Sequence, residues 1–317
     1  MTVALIIIQN HKYLNNLEIL DSLYSDRFPQ ILHLVPFYEG ERNDVIGVYE
    51  NSYYFQGYVS QAARRLANID CSHFLFIADD LLLNPAVSER TFCSEFNIRD
   101  ELTGFISGFI DFSKITHGWK RAREALNWRL DVSGIEAQNE LLAVDSARER
   151  FNALELDGHT VQIRSLKVRR LNRISGHLKR GEFSSIVRLL GADIVSWLEL
   201  LAYLPKSRRR LSYPLVGGYS DVFAIPKSSL ARFAHLCGVF AATGLFAEIA
   251  IPTAMALSVD RVSTMAKCRR QGRALWGDDI NFLDQFDLNL PLLLREFPKE
   301  YLYLHPIKLS QWSRTTR

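Results

Sequence analysis

The chain has 317 residues, 48% of them hydrophobic and 23% charged, with a net charge of only +3. That is enough apolar material for a large buried core, and it argues against both an intrinsically disordered chain and a protein coated with cations for nucleic acid. Cys71, Cys93, Cys237 and Cys268 stand far apart with no CxxC pair, which fits thiols in a reducing, cytoplasmic compartment rather than a disulfide framework or a zinc site.

The first apolar run, Val3 to Ile8, has no basic flank or small-residue cleavage site, so it reads as a strand covered on both faces and not as a signal peptide. No stretch reaches the roughly 18–20 uncharged apolar residues of a spanning helix. Leu14, Leu17, Leu20 and Leu23 recur near helical spacing, Ile31–Val35 predicts a second strand, and Val45–Tyr49 a short third. Tyr53 to Ala67 predicts a helix carrying Tyr53, Tyr54, Gln56 and Tyr58, whose rings either stack on a base or fill the core. Cys71–Ile77 is another strand, and it runs into Ala78, Asp79 and Asp80. Strand and helix alternate as in an open, mostly parallel sheet, which binds ligands beyond the carboxyl ends of its strands, where Asn10 and Asp80 fall.

From 114 to 212 the pattern becomes helical and basic, as in an insertion. Arg164, Lys167, Arg169, Arg170, Arg173, Lys179, Arg180 and Arg188 crowd one stretch, interleaved with apolar residues. Such a segment, 161–210, fits an anionic membrane surface, a solvated subdomain or an oligomer contact; with no RNA-binding motif beside it, no nucleic acid is expected. The α/β pattern returns with Gly217, Gly218, Tyr219, Ser220 and Asp221 ahead of Val222–Ile225, then a helix over Lys227–Leu236 and an apolar segment from Leu245 to Leu257. Tyr301–Leu304 forms a last strand ending at His305, with Lys308 close behind. Walker, GxGxxG and GxSxG motifs are absent, so P-loop, classical dinucleotide and elbow-hydrolase chemistry lack support.

An apolar strand ending in two carboxylates holds hard oxygen ligands on a rigid scaffold, as a diphosphate-bound Mg²⁺ or Mn²⁺ requires. The segment Phe74–Asp80 followed by Leu81–Pro85 resembles the DxD-type motif of GT-A glycosyltransferases, with Ala78 standing where the first Asp would be. The glycine segment at 217–221 resembles that family's acceptor-side strand, where glycines let a sugar approach. Glu248, set in the apolar run Phe246–Pro252, falls at its acidic position, and His305 resembles its C-terminal metal-binding histidine. The resemblance covers about residues 1–113 and 213–310, and it divides the chain into a nucleotide-sugar half, 1–113, the insertion, 114–212, and an acceptor half with the metal-binding tail, 213–317.

The resemblance implies a GT-A-like, Rossmann-like α/β fold and transfer of a sugar from a nucleoside diphosphate sugar to a glycan or lipid-linked glycan acceptor. Assembly of cell-surface polysaccharide, lipopolysaccharide or capsule, would be the setting, at the inner face of the plasma membrane. It implies Asp80 and His305 as ligands of Mn²⁺ or Mg²⁺, Asp79 near the ribose or a metal-bound water, and Lys308 on the diphosphate. Asn10, His11 and Tyr38 are the candidates for base and ribose. Glu248, expected to be partly desolvated, would be the base or an acceptor-binding carboxylate, and Asp221 would bind a sugar hydroxyl. Two alternatives stand beside this: a nucleotidyltransferase on a related sheet, and a degenerate, non-catalytic binding domain, prompted by Ala78.

Overall fold

The computed structural model describes residues 1–115, 119–162 and 208–314. The strands and helices follow in order as β1 Val3–Ile8, α1 Asn15–Tyr24, β2 Ile31–Pro36, β3 Val45–Val48, α2 Gln56–Ala67, β4 His73–Ala78, β5 Leu82–Leu83, α3 Phe92–Glu95 and β6 Thr103–Ile106. Then come α4 Lys120–Asn127, α5 Ala137–Glu140, α6 Val144–Ala153, β7 Thr160–Gln162 and β8 Arg208–Arg210. The last third contributes β9 Val222–Pro226, α7 Leu230–Ala242, α8 Ala247–Ser258, β10 Arg261–Thr264, β11 Gln271–Ala274, α9 Leu290–Arg295 and β12 Tyr301–His305.

The fold is mixed α/β, with a mostly parallel, Rossmann-like central sheet flanked by helices. Its strand order is β10-β6-β9-β4-β1-β2-β3, and β9 alone runs against its neighbours. Alternation sorts the two faces. Ala4, Ile6 and Ile8 of β1 pack into a core shared with α2, α7 and α8, while Val3, Leu5 and Ile7 face a second core with α1, α3 and α9. A small second sheet, β11-β12-β5, grows beside the end of β4. Because β5 runs antiparallel to β12, the start of β5 just after Asp80 lies level with the end of β12 at His305.

Several local expectations change. Tyr53 and Tyr54 belong to a short 3₁₀ turn, Ser52–Tyr54, capped by the Asn51 side chain, and the α-helix starts only at Gln56. A similar 3₁₀ turn, Lys227–Ser229, precedes α7. The apolar segment after Leu245 is a helix buried on nearly every side, with Pro252 inside it.

Within 114–212, the described part is not a separate lobe. Ala122, Ala125, Trp128, Ala147 and Phe151 lie in the same core as α2 and α7. Arg150 on α6 donates to the carbonyl oxygens of Ala256 and Val259, groups the C-terminus of α8 leaves without intrahelical donors. Strands β7 and β8 pair antiparallel, Gln162 opposite Arg208, so the chain leaves and returns at one point. The basic run from Arg164 to Arg188, and nearly all of the proposed membrane segment 161–210, fall outside the described residues. Among the described residues no helix is long and apolar enough to cross a membrane.

Candidate active site at the carboxyl edge of the sheet

Strands β1 to β4 are parallel, so their carboxyl ends share one edge. Asp79 and Asp80 lie just past β4. The Asp79 N–H donates to the carbonyl of Ile8, and its buried carboxylate accepts from the backbone N–H of Asn10 at 3.2 Å. Asp79 thereby ties the end of β4 to the loop after β1. Burial, helped by the Asp80 charge, pushes the Asp79 carboxyl up to about 7.

Asp80 points the other way. Its Oδ1 lies 3.1 Å from Nε2 of His305, a residue 225 positions away in the chain. The approach is fixed by backbone: the Ile307 N–H donates to the Asp80 carbonyl at 2.6 Å, just past the cis bond between His305 and Pro306. The imidazole is buried and flanked edge-on by Tyr219 and Trp276, with ring centroids at 5.8 and 5.4 Å. Burial pulls its pKa down, but the Asp80 hydrogen bond and the charges of Asp221, Asp80 and Asp79 outweigh that and leave it above the ordinary histidine value. Its Nδ1 is buried without a hydrogen-bond partner among the described residues.

Asp221 arrives from the antiparallel neighbour. The Ala78 N–H donates to the Asp221 carbonyl at 2.9 Å, so the Asp221 backbone stands beside Ala78. Burial raises Asp221 to about 6, against the opposing pull of His305. Tyr219 stacks on Tyr303 at 5.8 Å, nearly coplanar, and burial next to Asp221 holds its phenol well above the usual range.

The route by which Asp221 reaches the site corrects one expectation. Pro252 has no N–H, so the Glu248 carbonyl one turn back lacks its helical donor. The Gly218 N–H fills that place at 2.9 Å. Neither glycine is open to a sugar. A Cβ on Gly217 would overlap the Trp119 ring, and one on Gly218 would sit 2.6 Å from the Gly108 carbonyl and 2.9 Å from Pro252. Gly218 lets the chain pack onto α8, Gly217 lets it pass under Trp119, and the strand begins only at Val222.

Glu248 is corrected too. It lies in the first turn of α8 with about a third of its side chain exposed, and it pairs with Nε of Arg121 at 2.9 Å. Arg121 also binds Glu124 at 2.8 Å and lies flat on the Phe246 ring. The carboxylate is anchored by a cation, not desolvated in an apolar setting. Arg121 was not among the residues the sequence singled out, being one arginine of many on an amphipathic stretch.

The remaining candidates lie in the loops after β1, β2 and β12. Asn10 is held by Asp79, His11 is exposed and meets Tyr13 edge-on, and Lys308 is exposed beyond β12. Tyr38 packs beside Leu17, Val35 and Val45, and its hydroxyl accepts from the Arg42 N–H. It borders a cleft of about 500 Å³ with Asn15, Glu18, Arg42 and Arg314.

No known family's model matches the chain, and no match is found among curated proteins. Among solved structures it is similar to a mannose-1-phosphate geranyltransferase from Thermus thermophilus, with a TM-score of 0.31 and 9% identity over 83% of this chain and 73% of that one. A likeness of that size decides nothing about function, which must be read from the residues.

Two clusters could hold a cation. Asp21, His33 and Asp44 lie close enough to share one. There the Arg42 guanidinium already sits between the carboxylates, 2.6 Å from Asp21 and in contact with Asp44, so the cation of that site is a side chain. Among the described residues, the Asp80–His305 pair hydrogen-bonds to no such side chain. Its 3.1 Å separation is close to the ~3 Å edge between adjacent ligands of a cation with bonds of about 2.1 Å. A carboxylate oxygen with a neutral imidazole suits Mn²⁺, and Mg²⁺ less closely.

Proposed function

We propose that this protein is a metal-assisted, sugar-nucleotide-dependent glycosyltransferase acting on a glycan or lipid-linked glycan. The observation that carries the reading is the meeting of Asp80 and His305 at the carboxyl edge of a mostly parallel sheet, where such sheets take nucleotides. Asp80 and His305 would hold Mn²⁺ or Mg²⁺. The ion would neutralise charge on a departing diphosphate. Asn10 and Asp79 border the ribose side, and the exposed Lys308 adds a mobile positive charge near the phosphates.

In the transfer, an acceptor hydroxyl oxygen bonds to the anomeric carbon. The bond from that carbon to the phosphate oxygen breaks, and its electron pair leaves with the diphosphate. The hydroxyl proton goes to a carboxylate. Asp221 suits that duty better than Glu248, whose charge is committed to Arg121. Glu248 is left to orient acceptor hydroxyls.

Isothermal titration with UDP and GDP, with and without Mn²⁺, tests the reading. Binding that requires Mn²⁺ and disappears in Asp80→Ala supports it. Binding indifferent to both, or no nucleotide binding at all, would remove it in favour of a non-catalytic domain.

A further inference from the structure

Trp276 has no duty in the scheme above, yet its position is unusual. The residue is 60% exposed while its ring meets the buried imidazole of His305 in a T-shaped contact at 5.4 Å. The residue is placed by backbone. Ala274 pairs with His305 across β11 and β12, and the Leu275 N–H donates to the His305 carbonyl at 2.7 Å. Trp276 is therefore delivered one strand beyond the metal-binding pair. Gly277 follows with φ of +64° and open space where a Cβ would point, and the exposed carboxylates of Asp278 and Asp279 come next.

The order of elements along the edge says which ligand the indole faces. Strands β1, β2 and β3 lie on one side of Asp79 and Asp80, and in the reading above, with Asn10 after β1 toward the ribose, that side takes the nucleoside half of a donor. His305 and then Trp276 lie toward β12 and β11, in the small sheet. A ligand resting on Trp276 is separated from the nucleoside strands by the phosphate-binding pair. An indole face offers apolar area to the C–H face of a sugar ring, and adjacent carboxylates accept from its hydroxyls.

We infer that Trp276 is the floor of the acceptor subsite, on which a neutral pyranose stacks with its hydroxyls toward Asp278 and Asp279. This rests on the glycosyltransferase reading and adds to it the class of acceptor group and the residue that selects it. Trp276 positions the acceptor and takes no part in bond making.

Saturation-transfer NMR on the full chain, with methyl glucoside, galactoside and mannoside as probes and with UDP and Mn²⁺ present, tests this. At least one pyranoside should receive saturation at its ring C–H protons in the wild-type protein. Its affinity should fall at least tenfold in Trp276→Ala and be largely kept in Trp276→Phe, which retains an aromatic face. Titration with UDP and Mn²⁺ should be the same in all three, showing that the exposed substitution leaves fold and donor site intact. Equal pyranoside binding in Trp276→Ala overturns the inference. So does a wild-type protein that binds UDP with Mn²⁺ but no pyranoside, and in that case the glycosyltransferase reading stands. A wild-type protein that binds no nucleotide removes both.

Discussion

At Asp79 the carboxylate is buried against the Asn10 N–H, while one residue on, Asp80 faces His305. The two therefore respond differently to substitution. Asp79 is raised from 3.8 to about 7 by burial, so in the metal-free protein the native state holds a proton that the unfolded chain has released. Its contribution to stability is complete below about pH 4 and is lost as pH rises through about 7. Asp79→Asn keeps an acceptor for Asn10 and removes the ionisation, so its melting temperature should exceed that of the wild type at pH 8 and match it near pH 4. Thermal scans in chelator across that range check the sign. Asp80→Asn should instead weaken Mn²⁺-dependent nucleotide binding at least about tenfold, since even indirect supports of a metal site are worth that much. His305 stays protonated to higher pH than an ordinary histidine, so Mn²⁺ binding should strengthen as pH rises through and above the usual histidine range, a dependence that titrations at stepped pH would show.

Helix α8 shows how an element builds a site it only partly enters. Its proline frees the Glu248 carbonyl, that carbonyl takes the Gly218 N–H, and the docked turn delivers Asp221 beside Ala78. Gly218→Ala would force a Cβ against the Gly108 carbonyl and Pro252, so it should destabilise by about 1–3 kcal/mol. Gly108→Ala, where a Cβ meets nothing within 4 Å, is the matched control and should lie within about 0.5 kcal/mol of the wild type. Urea unfolding separates the two. At the other end of the same helix turn, Arg121→Ala leaves Glu248 and Glu124 without their shared partner and uncovers Phe246. The cost should be about 1–3 kcal/mol by the same measurement.

Across the whole molecule, residues 163–207 connect β7 to its antiparallel partner β8. Replacing those residues with a two-residue Asn-Gly turn joins strands that already lie side by side, and by logarithmic scaling the shorter loop costs about 3 kcal/mol less to close. The shortened protein should melt no lower than the full chain and keep Mn²⁺-dependent nucleotide binding. If, of the three readings its sequence allows, the basic run is a membrane contact, sedimentation with anionic vesicles should be lost in the shortened protein alone. Vesicle binding unchanged by the deletion, or indifferent to lipid charge, ends that idea.

The sequence by itself determined the apolar strands β1, β2, β3, β4, β9 and β12, because burial is written in a continuous apolar run, whereas β6, β10 and β11 carry no such run. Val3–Ile8 could only be an inner strand, and an apolar run ending at Asp79 and Asp80 had to present carboxylates at the edge of a sheet. Helix starts were legible only to within a few residues, since Tyr53 and Lys227 could open either a 3₁₀ turn or an α-helix on local preference alone. What only the tertiary structure decided were the partners. Arg121 for Glu248, Gly218 for the carbonyl freed by Pro252, and Trp276 against His305 are each set by how sheets and helices pack. Nothing in the local sequence distinguishes an arginine that finds a carboxylate 127 residues away from one that stays in water.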